Sequence, residues 1–121
     1  MANEKILVVD DSPTDLALMC APLRASGFNV VTAADGDEAI EKALKESPRA
    51  IVLDVILPKK NGYQVCRALK TNDQSKGIPI ILLTGKSQAS DKFWGMKQGA
   101  DEYMTKPFEG DELVNTVKRF L

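Results

Sequence analysis

The chain has no histidine at all. That absence removes Ser–His and Cys–His nucleophilic catalysis and the commonest zinc sites in one step. Cysteine is nearly as scarce: Cys20 and Cys66 fit neither a disulfide framework nor a metal-ligand spacing. Both fall among apolar neighbours on predicted helices and read as small core residues in a reducing cytosol. No apolar run approaches membrane-spanning length, and the first residues lack the apolar core of a secretory signal. The expected location is the cytoplasm, with no membrane partner. An excess of one charge is missing too. Sixteen Lys and Arg against 17 Asp and Glu leave a net charge of −1, with no basic stripe to attract nucleic acid and no acidic tail to suggest disorder. The basic doublets Lys59-Lys60 and Lys118-Arg119 read as solvated surface.

What is present is ordinary in amount and regular in order. With 121 residues, 44% apolar and 27% charged, the composition is that of one globular domain with a single core. There are no internal repeats, linkers or low-complexity segments, and the expectation is one domain over 1–121 without an output domain. Apolar runs alternate with helix-period segments. The strand candidates are Lys5–Asp10, Asn29–Thr32, Ala50–Asp54, Ile78–Thr84 and Glu102–Thr105. Runs such as "ILVV", "AIVL" and "IPIILL" are unbroken, as strands covered on both faces of a parallel sheet require. Between them lie amphipathic stripes: Leu16, Met19, Cys20 and Leu23; Ala39, Ile40, Ala43 and Leu44; Val65, Cys66 and Leu69; Leu113, Val114, Val117 and Leu121. Pro22 falls inside the first helix and should bend or loosen it, at roughly 3 kcal/mol if unrelieved. Five β-α units with right-handed crossovers give an α/β, flavodoxin-like three-layer sandwich, with a five-stranded parallel sheet of order 2-1-3-4-5.

In such a sheet ligands bind beyond the C-terminal strand ends. The first strand ends in Asp10-Asp11, the third in Asp54 and the fourth in Thr84, and the fifth is followed by Lys106. Ser12 and Pro13 suffice to start the first helix, so the two adjacent acids are surplus to local structure. Three carboxylates at one edge cannot all ionise cheaply without a cation. An all-oxygen set suits a hard ion, and a shallow site with open positions suits Mg²⁺. A cation there would let Asp54 attack phosphorus, with Lys106 and the Thr84 hydroxyl receiving the phosphoryl oxygens. Any one of these residues alone is more often a cap, a loop acid or a surface lysine. Five in register with the β-α alternation outweigh that reading.

The segments "VVDDSP", "LDVILPKKNG", "ILLTGK" and "YMTKPF" resemble, in order and roughly in spacing, the receiver domain of bacterial two-component response regulators, the CheY-like family. The resemblance covers essentially the whole chain. It implies Asp54 as phosphoacceptor, Asp11 as a direct Mg²⁺ ligand with Asp10 in support, and the backbone carbonyl of Ile56 as a further ligand. Thr84 and Lys106 match the phosphate-binding pair, and Tyr103 matches the aromatic switch position. The implied partners are a sensor histidine kinase as phosphodonor and a downstream protein target, the chain being a monomer or weak dimer. On phosphorylation Tyr103 would move inward and change the face formed by the fourth helix, fifth strand and fifth helix.

The segment "SQASDKFWGMKQGADEYMTKPF" is most similar to stand-alone regulators of twitching-motility and chemotaxis-like pathways. The family's hydrolytic water passes between the side chains at Ile56 and Lys86. Neither offers an acid or amide to orient it, so self-dephosphorylation should be slow. With Phe93 and Met96 facing inward, Trp94 would sit about 100° from Phe93, partly exposed, either as a docking anchor or lying on its own helix. Three other readings stay open: a receiver from a longer DNA-binding regulator, a module that docks without phosphorylation, and an aspartyl-phosphate phosphatase. Against the last, its general acid two residues after the nucleophile is here Ile56. Otherwise the domain is not an enzyme with a substrate of its own.

Overall fold

The unbroken apolar runs can stay dry only if helices cover both of their faces, and that is how they are used. The structure, a computed structural model, describes residues 4–121. Five strands and five helices alternate: β1 (Lys5–Val9), α1 (Pro13–Ala25), β2 (Asn29–Ala33), α2 (Gly36–Glu46), β3 (Ala50–Leu53), α3 (Gly62–Lys70), β4 (Ile80–Thr84), α4 (Ala89–Lys97), β5 (Glu102–Thr105) and α5 (Gly110–Arg119). The sheet is parallel with order β2-β1-β3-β4-β5. This is the expected flavodoxin-like arrangement.

The strand period of two sorts the apolar residues onto the faces. Leu7, Val9, Ile51, Leu53, Ile80 and Leu82 face α2 and α3 residues such as Ala39, Ala43, Val65 and Leu69. Ile6, Val8, Val52, Ile81 and Leu83 face α1 and α5, through Met19, Leu23, Leu113 and Val117. Each fully buried Leu, Ile or Val contributes roughly 1.5–3 kcal/mol relative to exposure. Both cysteines are buried and free, and burial pushes the Cys66 thiol up to about 12.

Three details differ from the sequence-based reading. Ile78 and Pro79 lie ahead of β4; Pro79 has no N–H for the ladder, and its carbonyl instead accepts from Ile51 at 2.9 Å. Helix α1 runs through Pro22 and ends at Ala25. The proline lies in the last turn, so only the Leu18 carbonyl loses an intrahelical donor, and the ring packs where a Cβ on Gly110 would stand 3.0 Å away. Helix α4 turns the opposite face inward. Its buried residue is Gly95, while Phe93, Trp94 and Met96 are exposed.

Strand register decides which polar residues meet at the C-terminal edge. Val9 pairs with Leu53, so β1 and β3 finish level. The amide of Asp54 bonds the Val9 carbonyl at 3.1 Å, and that of Asp10 bonds the Ala33 carbonyl at 3.2 Å. On the other side Thr84 pairs with Thr105, and Lys106 comes next with its amide on the Thr84 carbonyl at 2.9 Å.

Candidate functional site

Because β1 and β3 finish level, Asp10 and Asp54 emerge side by side, both nearly inaccessible at 1% and 7% exposure. Two buried carboxylates need a counter-charge. Lys106, one residue beyond β5, supplies it: its Nζ donates to Asp10 Oδ2 at 2.7 Å and to Asp54 Oδ2 at 2.8 Å. The remaining oxygens are also occupied. Asp10 Oδ1 accepts from the Ser12 amide at 2.9 Å and Asp54 Oδ1 from the Ile56 amide at 3.2 Å. Thr84 is fully buried at the end of β4, and its hydroxyl accepts from the Lys86 amide at 3.4 Å. Among the described residues no buried side-chain nitrogen or oxygen lacks a partner.

These contacts divide the two acids. Burial pushes Asp54 up, but the Lys106 ammonium, the Thr84 hydroxyl and the Ile56 amide together hold it below the ordinary aspartate value. Asp10 has fewer donors, and burial holds its carboxyl above that value despite Lys106 and Ser12. For Lys106, burial is outweighed by bonds to Asp10, Asp54 and Asp15, so its ammonium titrates above the ordinary lysine range. At neutral pH the arrangement favours an ionised Asp54 beside a charged lysine.

The loop after β3 is held from behind. The Gly62 amide donates to the Val55 carbonyl at 2.7 Å. A Cβ on Gly62 would overlap the Asp54 carbonyl oxygen and stand 2.7 Å from the Val55 Cα. Only glycine lets α3 begin this close to the backbone that carries Asp54.

The structure therefore brings together Asp10, Asp54, Thr84 and Lys106. Asp11 is exposed at the mouth of the site, and among the described residues no three side chains stand ready as a metal-holding group. The reason is visible in the contacts: Lys106 ties down Asp10 and Asp54 while Asp11 faces solvent. The donor chemistry still fits a hard ion. Asp10, Asp11, Asp54 and the Ile56 carbonyl offer oxygen only, at an open edge where waters complete the shell. The Ile56 side chain is 64% exposed. One site residue escaped the sequence. Asp15, on the first turn of α1, reaches the third face of the Lys106 ammonium at 2.9 Å.

Two further expectations meet a different geometry. Tyr103 already points inward at 7% exposure, with its hydroxyl donating to the Lys86 carbonyl at 2.6 Å. Space for the ring comes from Gly95, where a Cβ would stand 3.0 Å from Tyr103 Cδ2 and 2.8 Å from Leu82 Cδ1. Burial, with Tyr63 nearby, raises the Tyr103 phenol and keeps it a neutral donor. Trp94 is half exposed as expected, but Phe93 and Met96 lie outside with it rather than in the core. The apolar stripe misled because the buried position is a glycine.

Comparison with known proteins gives one family. The response regulator receiver domain matches residues 6–118. Among curated proteins, the alkaline phosphatase synthesis transcriptional regulatory protein PhoP of Bacillus subtilis is 48% identical over 119 residues, covering 98% of this chain and 49% of that protein. Protein PilH of Pseudomonas aeruginosa is 38% identical over 117 residues, covering 97% of both. The chain thus spans about half the length of PhoP and of several other curated relatives. Among solved structures, the chemotaxis response regulator CheY4 of Vibrio cholerae aligns with TM-score 0.91 and 35% identity over 98% of this chain and 99% of that one. The receiver domain of sensor histidine kinase PA1611 from Pseudomonas aeruginosa, described with magnesium coordinated in its active-site cleft, aligns with TM-score 0.91 and 31% identity over 98% and 97%.

Proposed function

The chain belongs to the response regulator receiver domain family, and on that premise we propose that Asp54 accepts a phosphoryl group from a sensor histidine kinase and so switches the docking of a downstream protein. One observation carries the reading: a buried carboxylate at a strand end, held below its ordinary pKa, with Lys106 at 2.8 Å. Mg²⁺, held by Asp10, Asp11, Asp54 and the Ile56 carbonyl, would supply charge neutralisation for the incoming phosphoryl group. The ionised Asp54 oxygen attacks phosphorus as the bond to the donor's leaving group breaks, and the leaving group keeps that electron pair. Lys106 neutralises the transferred oxygens, and the Thr84 hydroxyl donates to the phosphoryl group. The buried walls around Asp54 limit access by water.

Thr84 is joined through Gly85 to Lys86, whose amide bonds the Thr84 hydroxyl and whose carbonyl receives the Tyr103 hydroxyl. A displaced Thr84 therefore pulls on the Tyr103 anchor and on α4. The responsive face is α4–β5–α5, with Trp94 as docking anchor beside the exposed Phe93 and Met96. Similarity to CheY4 over nearly the full length of both chains supports a motility or chemotaxis-like pathway. A second reading, a receiver within a longer DNA-binding regulator, is favoured by the 48% identity to PhoP over 49% of that protein. No helix among the described residues is long and apolar enough to cross a membrane, and the phosphodonor chemistry suits the cytoplasm.

The test is incubation with acetyl phosphate or phosphoramidate plus Mg²⁺, with intact mass as the readout. A gain of one phosphoryl group, lost on chelating the metal and abolished in Asp54→Asn, is expected. Absence of any gain with either donor overturns the proposal, and turnover of phosphate esters would revive the phosphatase reading.

A further inference from the structure

The Lys106 ammonium is saturated. An ammonium has three N–H donors, and they go to Asp10, Asp54 and Asp15 at 2.7, 2.8 and 2.9 Å. A phosphoryl oxygen on Asp54 can take a Lys106 hydrogen bond only by displacing one of these acceptors. The three differ in what displacement costs. Asp54 gives up its carboxylate charge to the new P–O bond, so its share of the ammonium passes to one phosphoryl oxygen. Asp10 stays charged and buried, and losing the ammonium there strands a charge in low dielectric. The Asp15 side chain is 41% exposed and can pass to water.

The Asp15 contact is not a by-product of helix capping. Asp15 is the N3 residue of α1, and its amide bonds the Ser12 hydroxyl at 3.3 Å. At that position an acidic or amide side chain commonly returns to the cap residue's own amide. In α3 and α4 it does so: Gln64 accepts from Asn61 at 2.9 Å and Asp91 from Gln88 at 3.2 Å. In α1 the Ser12 amide is already taken by Asp10, which leaves the Asp15 carboxylate free to cross to Lys106. The same contact ties the residue before Pro107 and Phe108, at the start of the β5–α5 loop, to the first turn of α1.

We infer that Asp15 is a positioning residue that competes with the phosphoryl group for Lys106: it holds the lysine in the resting state and is the partner displaced when a second phosphoryl oxygen takes a Lys106 hydrogen bond. The inference rests on Asp54 being the phosphoacceptor. It follows that Asp15 sets the affinity of the site for a phosphoryl group separately from its affinity for the metal. Removing the Asp15 charge frees one Lys106 donor for the phosphoryl oxygens, but it withdraws negative charge from a cation.

Titration calorimetry with beryllofluoride plus Mg²⁺, and with Mg²⁺ alone, separates these effects in wild type, Asp15→Asn, Asp15→Ala and Asp15→Glu. Beryllofluoride should bind the Asn and Ala variants about two- to fivefold more tightly, the scale of a half-exposed ion pair. Mg²⁺ alone should bind them no more tightly than wild type, and Asp15→Glu should restore wild-type behaviour in both titrations. A merely structural role for Asp15 predicts no such split. Equal or weaker beryllofluoride binding by both neutral variants, with wild type binding normally, overturns this inference and leaves the phosphoacceptor reading standing. Failure of wild type itself to bind beryllofluoride overturns both.

Discussion

Replacing Lys106 with Met keeps most of the side chain's volume and removes its charge, leaving Asp10 and Asp54 buried together without a counter-ion. At an effective dielectric near 20, each ammonium–carboxylate pair at these distances is worth roughly 6 kcal/mol before desolvation. Returning the ammonium to water recovers part of that, while mutual repulsion of the two acids adds a penalty. The net loss expected on breaking a buried pair is about 3–5 kcal/mol. The half-exposed Asp15 contact adds no more than about 1 kcal/mol. Urea unfolding in chelator at pH 8 measures the difference. The loss should shrink with acid, because without Lys106 both carboxyls have folded-state pKa values above the unfolded value of about 3.9. A carboxyl raised on folding destabilises the ionised fold above its unfolded pKa, and stability returns as pH falls through the folded value. Millimolar Mg²⁺ should also recover part of the loss, since a ligand that binds only the folded state stabilises it. A loss below about 1 kcal/mol, or one indifferent to both pH and Mg²⁺, would refute the counter-ion argument.

The remaining expectations concern phosphate lifetime, packing and docking. Ile56 is exposed beside Asp54, and Lys86 lies 3.6 Å from Asp91, so neither presents a group that orients water. Ile56→Asn with Lys86→Glu should speed loss of phosphate from Asp54 by roughly tenfold or more, measured by intact mass after donor removal; an unchanged decay sinks the idea. Gly95→Ala puts a methyl group into Leu82 and Tyr103, and should cost about 1–3 kcal/mol and turn Tyr103 outward, visible as a rise in tyrosine accessibility to iodination. Trp94→Ala should leave phosphorylation intact and change stability by less than about 1 kcal/mol while weakening the α4–β5–α5 partner; full partner affinity in that variant removes the docking role.

Strands β1, β3 and β4 were legible because each is dry on both faces and reads as an unbroken run, and the end-of-strand acids followed from β1 and β3. Edges were less so. Ile78 looks like strand, yet the ladder begins only after Pro79, which has no amide to contribute. Helix α4 was misread for a different reason: periodicity counts apolar side chains, and the position that packs on Tyr103 has none. Asp15 was hidden by an adequate local explanation. A first-turn acid after Ser12 looks like part of a cap; the short-range bond from the Ser12 amide to Asp10 releases it, and its partner Lys106 is brought in only by the tertiary fold. Tyr103 lies inward before any phosphorylation, a pose that a single ring in the sequence does not reveal, since it depends on the space left by Gly95.

Gly62 gives the pocket a stiff side and a pliant one. On the β3–α3 side, the α3 start is clamped to the backbone of Asp54 and Val55 with no room for a methyl group. On the β4–α4 side, Gly85, Ser87 and Gln88 are exposed and α4 rests on Tyr103 through a bare glycine. A force applied at Asp54 meets an anvil on one side and a lever on the other. On the proposed phosphorylation of Asp54, displacement would therefore be taken up on the α4 side, where the backbone has room to yield.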